Sequence, residues 1–345
     1  MNIRIGLMGF GRIGRNIFRI LHGRKDMGVV AISDVADHEG LRYLLRFDTV
    51  LGRFPDPVEL QGGDLLVGGR SVKMLSGRAP GEVDWGALGV DVVIEATGRH
   101  RSRAELQKHL QAGARHVVLC VPPQEGEDPD ATIICGVNEG SLSPMHRIVS
   151  NGSCTANAVG PVLKTLHEAF GVRMAFLTIV HAYTNDQRLA DVPAEDLRRS
   201  RAAAENIIPT ETRACAMLMS LIPELRGRLG GLAMNVPVPD GSVVDAVIQF
   251  DRPAGVAGVN DAMRRACTSG LSGLIEFEDD PIVSSDVIIN PHSGIFDSLA
   301  TQALGEDLVR VLVWFDNGWG YAHRALELAR RLAGMPAASG QEVAR

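Results

Sequence analysis

The run Gly9-Phe10-Gly11-Arg12-Ile13-Gly14-Arg15 follows the apolar stretch Ile3–Met8 and opens a segment, 12–22, whose apolar residues recur at helical spacing. Strand, glycine turn and helix in that order give each glycine a task. Gly9 permits the tight turn, Gly11 lets backbone come close to a pyrophosphate, and Gly14 lets helix meet strand. The helix N-terminus then offers N–H groups and the positive end of its dipole to phosphate oxygens. Asp34 stands 20 residues beyond Gly14, at the end of the next apolar run. A carboxylate there binds ribose hydroxyls and repels a 2′-phosphate, and the apolar Val35 offers such a phosphate no partner. The pattern predicts NAD rather than NADP. A glycine-rich turn that serves another ligand is the competing reading, and it leaves the placement of Asp34 unexplained.

Residues 29–34, 92–96, 116–121 and 147–150 join Ile3–Met8 as apolar runs that read as buried parallel strands, with helical spacing over 12–22 and 102–111. This alternation predicts an α/β fold whose N-terminal part, 1–153, is a Rossmann-type doubly wound domain. The short runs 64–67 and 71–75 flank Gly68-Gly69 and read as an inserted hairpin. Beyond Cys154 the texture changes. A helical stretch over 158–170 leads into a β-branched strand, 174–184. A polar segment of little periodicity follows over 185–206, and an ordered segment of that length is usually functional. Antiparallel-looking strands at 231–238, 242–251, 274–277 and 309–315 predict a second, α+β catalytic domain over 154–317, built on a mostly antiparallel sheet. A closing amphipathic helix within 318–333 is expected to pack back on the first domain, and the small, polar tail 334–345 is expected to be disordered.

At 345 residues the chain has length for about two domains. Hydrophobic residues at 45% and charged residues at 22% match a globular composition with a sizeable core. A net charge of −6 argues against nucleic-acid binding, and no apolar run approaches the roughly 18 residues of a membrane span. The chain turns straight into a strand, so no signal or transit peptide is expected. The five cysteines are scattered, without CxxC or paired His/Cys spacing. That predicts neither a metal site nor a disulfide framework, and a reducing, cytoplasmic setting follows.

Asn151-Gly152-Ser153-Cys154-Thr155-Ala156-Asn157 is the second decisive stretch. A lone cysteine is more often a small buried hydrophobe than a nucleophile. Cys154, however, follows a predicted parallel strand and precedes a helical run, and a helix N-terminus stabilises a thiolate. Pro161 works against a helix that starts as early as Thr155, because an internal proline kinks or breaks it. A nucleophile needs a base. Among ten histidines, His181 closes an apolar strand just before Ala182-Tyr183-Thr184, where a polar ring either faces a site or is a satisfied structural histidine. A thiol that takes up an aldehyde and a cofactor that takes up its hydride are two halves of one oxidation.

Taken in order, GFGRIGR (9–15), SCTAN (153–157), HAYT (181–184), DLRRSRAAAENIIPTET (196–212) and WFDNGWGY (314–321) resemble phosphorylating glyceraldehyde-3-phosphate dehydrogenases. The likeness runs from residue 1 to about 332. The related erythrose-4-phosphate dehydrogenases share most of these motifs, so the resemblance names a family before a substrate. It implies that Cys154 is the nucleophile and His181 the base, that a thiohemiacetal and then a thioester form on Cys154, and that inorganic phosphate releases an acyl phosphate. The expected reaction is that of glycolysis, glyceraldehyde 3-phosphate to 1,3-bisphosphoglycerate. The resemblance also places Arg12 and Ile13 with Gly9, Gly11 and Gly14 in the pyrophosphate loop, and Arg78, Thr97 and Cys120 in other NAD-lining stretches. Asn317 matches the residue that orients the nicotinamide amide, Tyr321 the ring beside it, and Val192-Pro193 the pair that favours NAD. Ser153, Thr155, Thr184 and Thr212 supply hydroxyls for two oxyanions. A homotetramer, with the loop near 185–206 packed between subunits, is implied as well. The alternatives are a relative acting on erythrose 4-phosphate or another aldehyde, and a non-catalytic NAD-binding regulator. The regulator has no need of a thiol–imidazole pair.

Departures from the family pattern cluster on the anion sites. Asn235, in Ala233-Met234-Asn235-Val236-Pro237, stands where an arginine that contacts substrate phosphate is expected. Loss of such a charge-assisted hydrogen bond costs roughly 1.5–3 kcal/mol. Arg213 replaces a glycine whose backbone serves inorganic phosphate, Gly318 an acidic residue, and Ala158 a cysteine four residues after the nucleophile. Either Arg213 restores a cation to the pocket that Asn235 has left, or the substrate has drifted to another aldehyde; a merely solvated Arg213 is the plain alternative.

Overall fold

The computed structural model describes residues 3–77 and 79–334, so Arg78 and residues 335–345 of the predicted tail lie outside the described residues. The chain divides into two compact units. One is drawn from 1–133, 139–152 and 322–345, the other from 134–138 and 153–321.

In the first unit β1 (Ile3–Met8) turns into α1 (Arg12–Leu21), which returns the chain to β2 (Met27–Ser33). Helix α2 (His38–Arg46), N-capped by the Asp37 carboxylate, leads to the small pair β3 (Phe47–Asp48) and β4 (Gly52–Arg53). Strands β5 (Val58–Gln61), β6 (Asp64–Val67) and β7 (Arg70–Leu75) form an antiparallel meander, with Gly68 and Gly69 at positive φ in its last turn. The predicted hairpin is there. Then come β8 (Val92–Glu95), α3 (Arg103–Gln111), β9 (His116–Leu119), β10 (Ala131–Thr132) and β11 (Ile148–Ser150). The sheet order is β10-β11-β9-β8-β1-β2-β7-β6-β5, and every pairing from β10 to β7 is parallel. Such strands are covered on both faces and read as continuous apolar runs. Val92, Val93, Ile94, Val117, Val118 and Leu119 are all fully buried. The order reverses between β2 and β8 on either side of β1, and a crevice for a ligand opens at the carboxyl ends of strands at such a point. Gly9, Asp34, Thr97 and Cys120 lie one or two residues past the ends of β1, β2, β8 and β9.

The second unit holds α4 (Cys154–Phe170), β12 (Val172–Ala182), β13 (Ile208–Thr210), α5 (Ala214–Leu221) and β14 (Leu229–Val236). It continues with β15 (Ser242–Phe250), α6 (Gly255–Cys267), β16 (Ile275–Glu278), β17 (Gly294–Leu304) and β18 (Leu308–Phe315). Its sheet runs β13-β14-β12-β15-β18-β17-β16 and is mostly antiparallel. Helices α4, α5 and α6 cover one face. Helix α7 (Trp319–Gly334) begins in this unit and continues into residues that cluster with the first.

Three expectations change. Helix α4 begins at Cys154 rather than at residue 158 and runs straight through Pro161. An internal proline costs about 3 kcal/mol, but Ala156, Ala158, Val159, Val162, Leu163 and Leu166 are fully buried around it, and that packing outweighs the lost hydrogen bond. Strand β14 is parallel to β12, not antiparallel, because the long loop, β13 and α5 carry the chain back to the start of the sheet. The edge strand β16, expected to be antiparallel, is parallel to β17 because residues 279–293 cross over between them. The polar segment 185–206 contains a single short turn of 3-10 helix, Leu197–Ser200, among the described residues. No helix among them is long and apolar enough to cross a membrane, and they contain no group of three His, Cys, Asp or Glu side chains able to hold a metal ion.

Candidate active site

Cys154 reaches its position through a short chain of local events. After β11, Gly152 adopts φ +62°, which favours glycine, and Ser153 enters the helix in extended conformation as its N-cap. The Ser153 hydroxyl accepts from Ala156 N at 3.1 Å, and the Asn157 amide donates to the Ser153 carbonyl at 3.0 Å. Cys154 is therefore the first helical residue, among backbone donors with no partner inside the helix.

His181 comes from the end of β12, and its Nε2 lies 3.5 Å from Cys154 Sγ. Its Nδ1 lies 2.6 Å from the Ala182 carbonyl oxygen. A carbonyl only accepts, so Nδ1 carries a hydrogen and Nε2 is left to exchange a proton with the thiol. Burial alone would lower the His181 pKa. The bond to Cys154, the charge on that sulfur, the Ala182 carbonyl and Asp240 outweigh it and hold the ring above the usual histidine range. Phe315 meets the ring edge-on, with centroids 5.9 Å apart.

A second link ties Asn317 to this strand end. The buried Ser242 hydroxyl accepts from Ala182 N at 3.0 Å and donates to Asn317 Oδ1 at 3.1 Å. The Asn317 amide oxygen is thereby occupied, and its NH2 end faces the other way. Asp316 holds the start of α7 by accepting from Gly318 N at 2.8 Å and Trp319 N at 2.5 Å. Tyr321 is buried in the first turn of that helix. Ser242 and Asp316 were not among the sequence-predicted residues. Their roles depend on partners distant in the chain, and only the Asp-x-x spacing before a helix hinted at Asp316.

In the first unit the glycine turn has the shape a pyrophosphate requires. A Cβ on Gly14 would sit 2.3 Å from the Gly9 carbonyl oxygen, whereas one on Gly11 would meet nothing within 4 Å. The end of α1 is thus packed tightly beneath and open at Gly11. Gly11 is the N-cap and has no side chain to satisfy the first-turn N–H groups, and no acidic residue stands in that turn. Arg12 and Ile13 are its first two residues. The Asp34 carboxylate accepts from Phe10 N at 2.7 Å and from Ala36 N at 2.9 Å, which fixes it beside the turn. Cys120 is buried, and burial together with the nearby Glu95 carboxylate pushes its thiol up, so it stays protonated. These features fit a dinucleotide.

Two models of known families match this chain. "Glyceraldehyde 3-phosphate dehydrogenase, NAD binding domain" covers residues 3–103, and "Glyceraldehyde 3-phosphate dehydrogenase, C-terminal domain" covers 153–317. The chain belongs to the glyceraldehyde-3-phosphate dehydrogenase family. Full-length relatives agree. The glyceraldehyde-3-phosphate dehydrogenase of Geobacillus stearothermophilus is 42% identical over 334 residues, 96% of this chain and 99% of its own length. That of Streptomyces coelicolor is 45% identical over 331 residues, covering 95% and 98%. That of Mycobacterium leprae is 44% identical over 335 residues, with the same coverage.

Against this family background the anion-site residues separate into two places. Asn235 is the register partner of His181 in the parallel pair β12–β14, so both side chains leave the same face of the sheet. Thr212 and Arg213 instead line a cavity of about 1030 Å³ with Arg198, Arg199, Thr210 and Gly231. The lining also includes Pro209, the register partner of Met234, so the cavity extends along β14 to the neighbour of Asn235. Asn235 is not itself one of the lining residues, and its compensation by Arg213 is a matter for the Arg213→Gly variant below. Thr184 belongs to the cavity's side through a chain of contacts. Its hydroxyl donates to Asp186, which is paired with Arg199. Burial would raise the Asp186 carboxyl, but the Thr184 hydroxyl and Arg199 hold it below the usual range. Thr155 is buried one residue beyond Cys154.

Proposed function

We propose that this protein oxidises glyceraldehyde 3-phosphate with NAD and phosphorylates the product to 1,3-bisphosphoglycerate, through a thioester on Cys154. The Cys154–His181 pair carries the proposal. The Cys154 sulfur bonds to the aldehyde carbon, its proton having passed to His181 Nε2. That proton then goes to the carbonyl oxygen, giving a thiohemiacetal and a neutral imidazole. The Cys154 backbone N–H, unpaired within the helix, and His181 stabilise the oxygen as charge develops on it. NAD, when bound, supplies the acceptor for the hydride. His181 takes the hydroxyl proton as the C–H electron pair leaves, and the carbonyl re-forms as a thioester. A phosphate oxygen then attacks that carbon, the C–S bond breaks, and the sulfur returns to its pairing with His181. Gly9, Gly11, Arg12, Ile13, Gly14, Asp34, Thr97 and Cys120 would hold the dinucleotide, with Asn317 and Tyr321 beside its nicotinamide.

The test is NADH formation from NAD with glyceraldehyde 3-phosphate, erythrose 4-phosphate and unphosphorylated glyceraldehyde, with and without phosphate or arsenate. Fast turnover that requires the acceptor anion is expected with the first. If no aldehyde yields NADH while iodoacetamide still labels Cys154, the dehydrogenase reading fails. The reading as a relative acting on another aldehyde, with its anion elsewhere or absent, keeps one observation in its favour, the uncharged Asn235 in register with His181.

Arg213 belongs, in this reading, to the acceptor phosphate rather than to the aldehyde, because its cavity holds Thr212 and two further arginines. Arg213→Gly is expected to raise KM for inorganic phosphate about tenfold, the worth of one charge-assisted hydrogen bond, with KM for the aldehyde little changed. An aldehyde KM that rises instead restores the compensation of Asn235; two unchanged values make Arg213 a solvated residue.

A homotetramer in the cytoplasm completes the reading. Met174, Phe176, Leu232 and Val247 are exposed on one face of the second unit's sheet, and neighbouring exposed apolar side chains of this kind mark interaction surfaces. Sedimentation equilibrium should give four times the chain mass, and Phe176→Glu should lower it; a monomeric parent rejects the assembly.

A further inference from the structure

One buried cluster in the first unit has no part in the chemistry above. Glu95, the last residue of β8, and His109 of α3 are both fully buried, with His109 Nε2 3.3 Å from Glu95 Oε2. On the other side of the ring, the Trp85 indole N–H donates to His109 Nδ1 at 3.0 Å. An indole nitrogen can only donate, so Nδ1 is an acceptor and carries no hydrogen. The ring is therefore neutral, with its one N–H on Nε2 and pointing at Glu95. The other Glu95 oxygen accepts twice from Thr97, from its backbone N–H at 2.8 Å and its hydroxyl at 2.5 Å. Three donors converge on one carboxylate, the arrangement that lets a buried anion persist.

What this cluster holds is Thr97, and Thr97 abuts the glycine turn. A Cβ on Gly9 would lie 2.8 Å from Thr97 N and 2.9 Å from the Ala96 carbonyl carbon. The backbone is also tied on both sides. Ala96 N donates to the Met8 carbonyl at 2.7 Å, and Arg99 N donates to the Thr97 hydroxyl at 3.1 Å. Any shift of Thr97 therefore meets Gly9, whose own N–H is held by the Ser33 carbonyl at 2.8 Å.

We propose that Trp85, His109 and Glu95 form a buried relay that positions Thr97 and, through it, the Gly9 turn for dinucleotide binding. His109 and Trp85 act through Glu95 and are positioning residues. The inference rests on NAD as the ligand of this unit.

Three variants test it. His109→Leu removes both ring bonds, His109→Gln can still donate to Glu95 and accept from Trp85, and Trp85→Phe removes only the indole donor. For the leucine variant the Kd for NAD, from fluorescence quenching, is expected to rise about tenfold, whereas kcat at saturating NAD changes less than about twofold. The glutamine variant should regain most of the affinity. In the parent, nitrogen NMR of ring-labelled histidine, with the His109 signals assigned by their loss in His109→Gln, should show that ring neutral and protonated at Nε2 and not at Nδ1. An Nδ1–H tautomer overturns the relay, as does NAD affinity unaltered in His109→Leu, or equal losses in the leucine and glutamine variants. Should the leucine variant fail to fold, the tautomer and a Trp85→Phe Kd that is not raised stand as the refuting results. A parent that binds no NAD refutes the underlying assignment, a result distinct from a parent that binds and a variant that binds equally well.

Discussion

Replacing His181 with Asn is expected to lower kcat by roughly 10²–10⁴-fold, the range over which a positioned acid–base group contributes. Asparagine keeps a polar group near the sulfur but cannot carry a proton from thiol to oxyanion and back. The same variant should slow alkylation of Cys154 by iodoacetamide by about tenfold at neutral pH, since only the thiolate attacks. The reverse experiment isolates the coupling. In Cys154→Ala the two contributions of the sulfur that raise the His181 pKa are removed, so the ring should titrate at lower pH than in the parent. The sign for stability follows. With its folded pKa above the unfolded value, His181 contributes stability that is complete below about 6.5 and is lost as pH rises through the folded value. Unfolding of the parent and of Cys154→Ala should differ most at mildly acid pH and converge in base. A kcat within about tenfold of the parent in His181→Asn would show that another group moves the proton.

Legibility in the sequence followed the range of the interactions. The glycine turn, Asp34 and the Cys154 run are local patterns, each carrying its chemistry within a few residues, and each stands at the end of an element as read. Helix α4 was legible except for its start, because a rule about one proline was weighed without the burial that surrounds Pro161. Strand β17 carries buried Asp297, Ser298 and Thr301, so no apolar alternation marks it. Asp297 is buried as the acceptor for the Trp314 indole N–H at 3.0 Å, a partner on the neighbouring strand. The supports of the site are hidden for the same reason. Ser242 joins Ala182 to Asn317 across 60 and 75 residues, and Trp85 reaches His109 across 24. Nothing local distinguishes such a serine or histidine from its many equivalents. The pairing that sets Asn235 in register with His181 is likewise long-range, and no spacing in the chain reports it.

Gly14→Ala should abolish most cofactor affinity, raising the Kd for NAD by about 10²-fold, or ~2.7 kcal/mol. Propensity alone predicts the opposite, since alanine in place of glycine within a helix stabilises by about 1 kcal/mol. Sterics decide. The new Cβ would lie 2.3 Å from the Gly9 carbonyl oxygen and 3.2 Å from its carbon, and both are backbone atoms that cannot rotate away. Gly9 in turn has the Thr97 and Ala96 backbone behind it, so the strain can only be relieved by moving α1 off the turn. That displaces the first-turn N–H groups from the phosphates they are to bind. Gly11→Ala separates packing from binding. It adds a methyl group into open space at φ −69°, where any residue is comfortable, so its melting temperature should match the parent. Yet that open space is where the pyrophosphate approaches, and the Kd for NAD should still rise. Calorimetric melting and NAD titration of both variants distinguish the two effects: Gly14→Ala loses stability and affinity together, Gly11→Ala affinity alone. An unaltered Kd in both would mean that the dinucleotide does not lie on this turn, and the assignment of the first unit would have to be withdrawn.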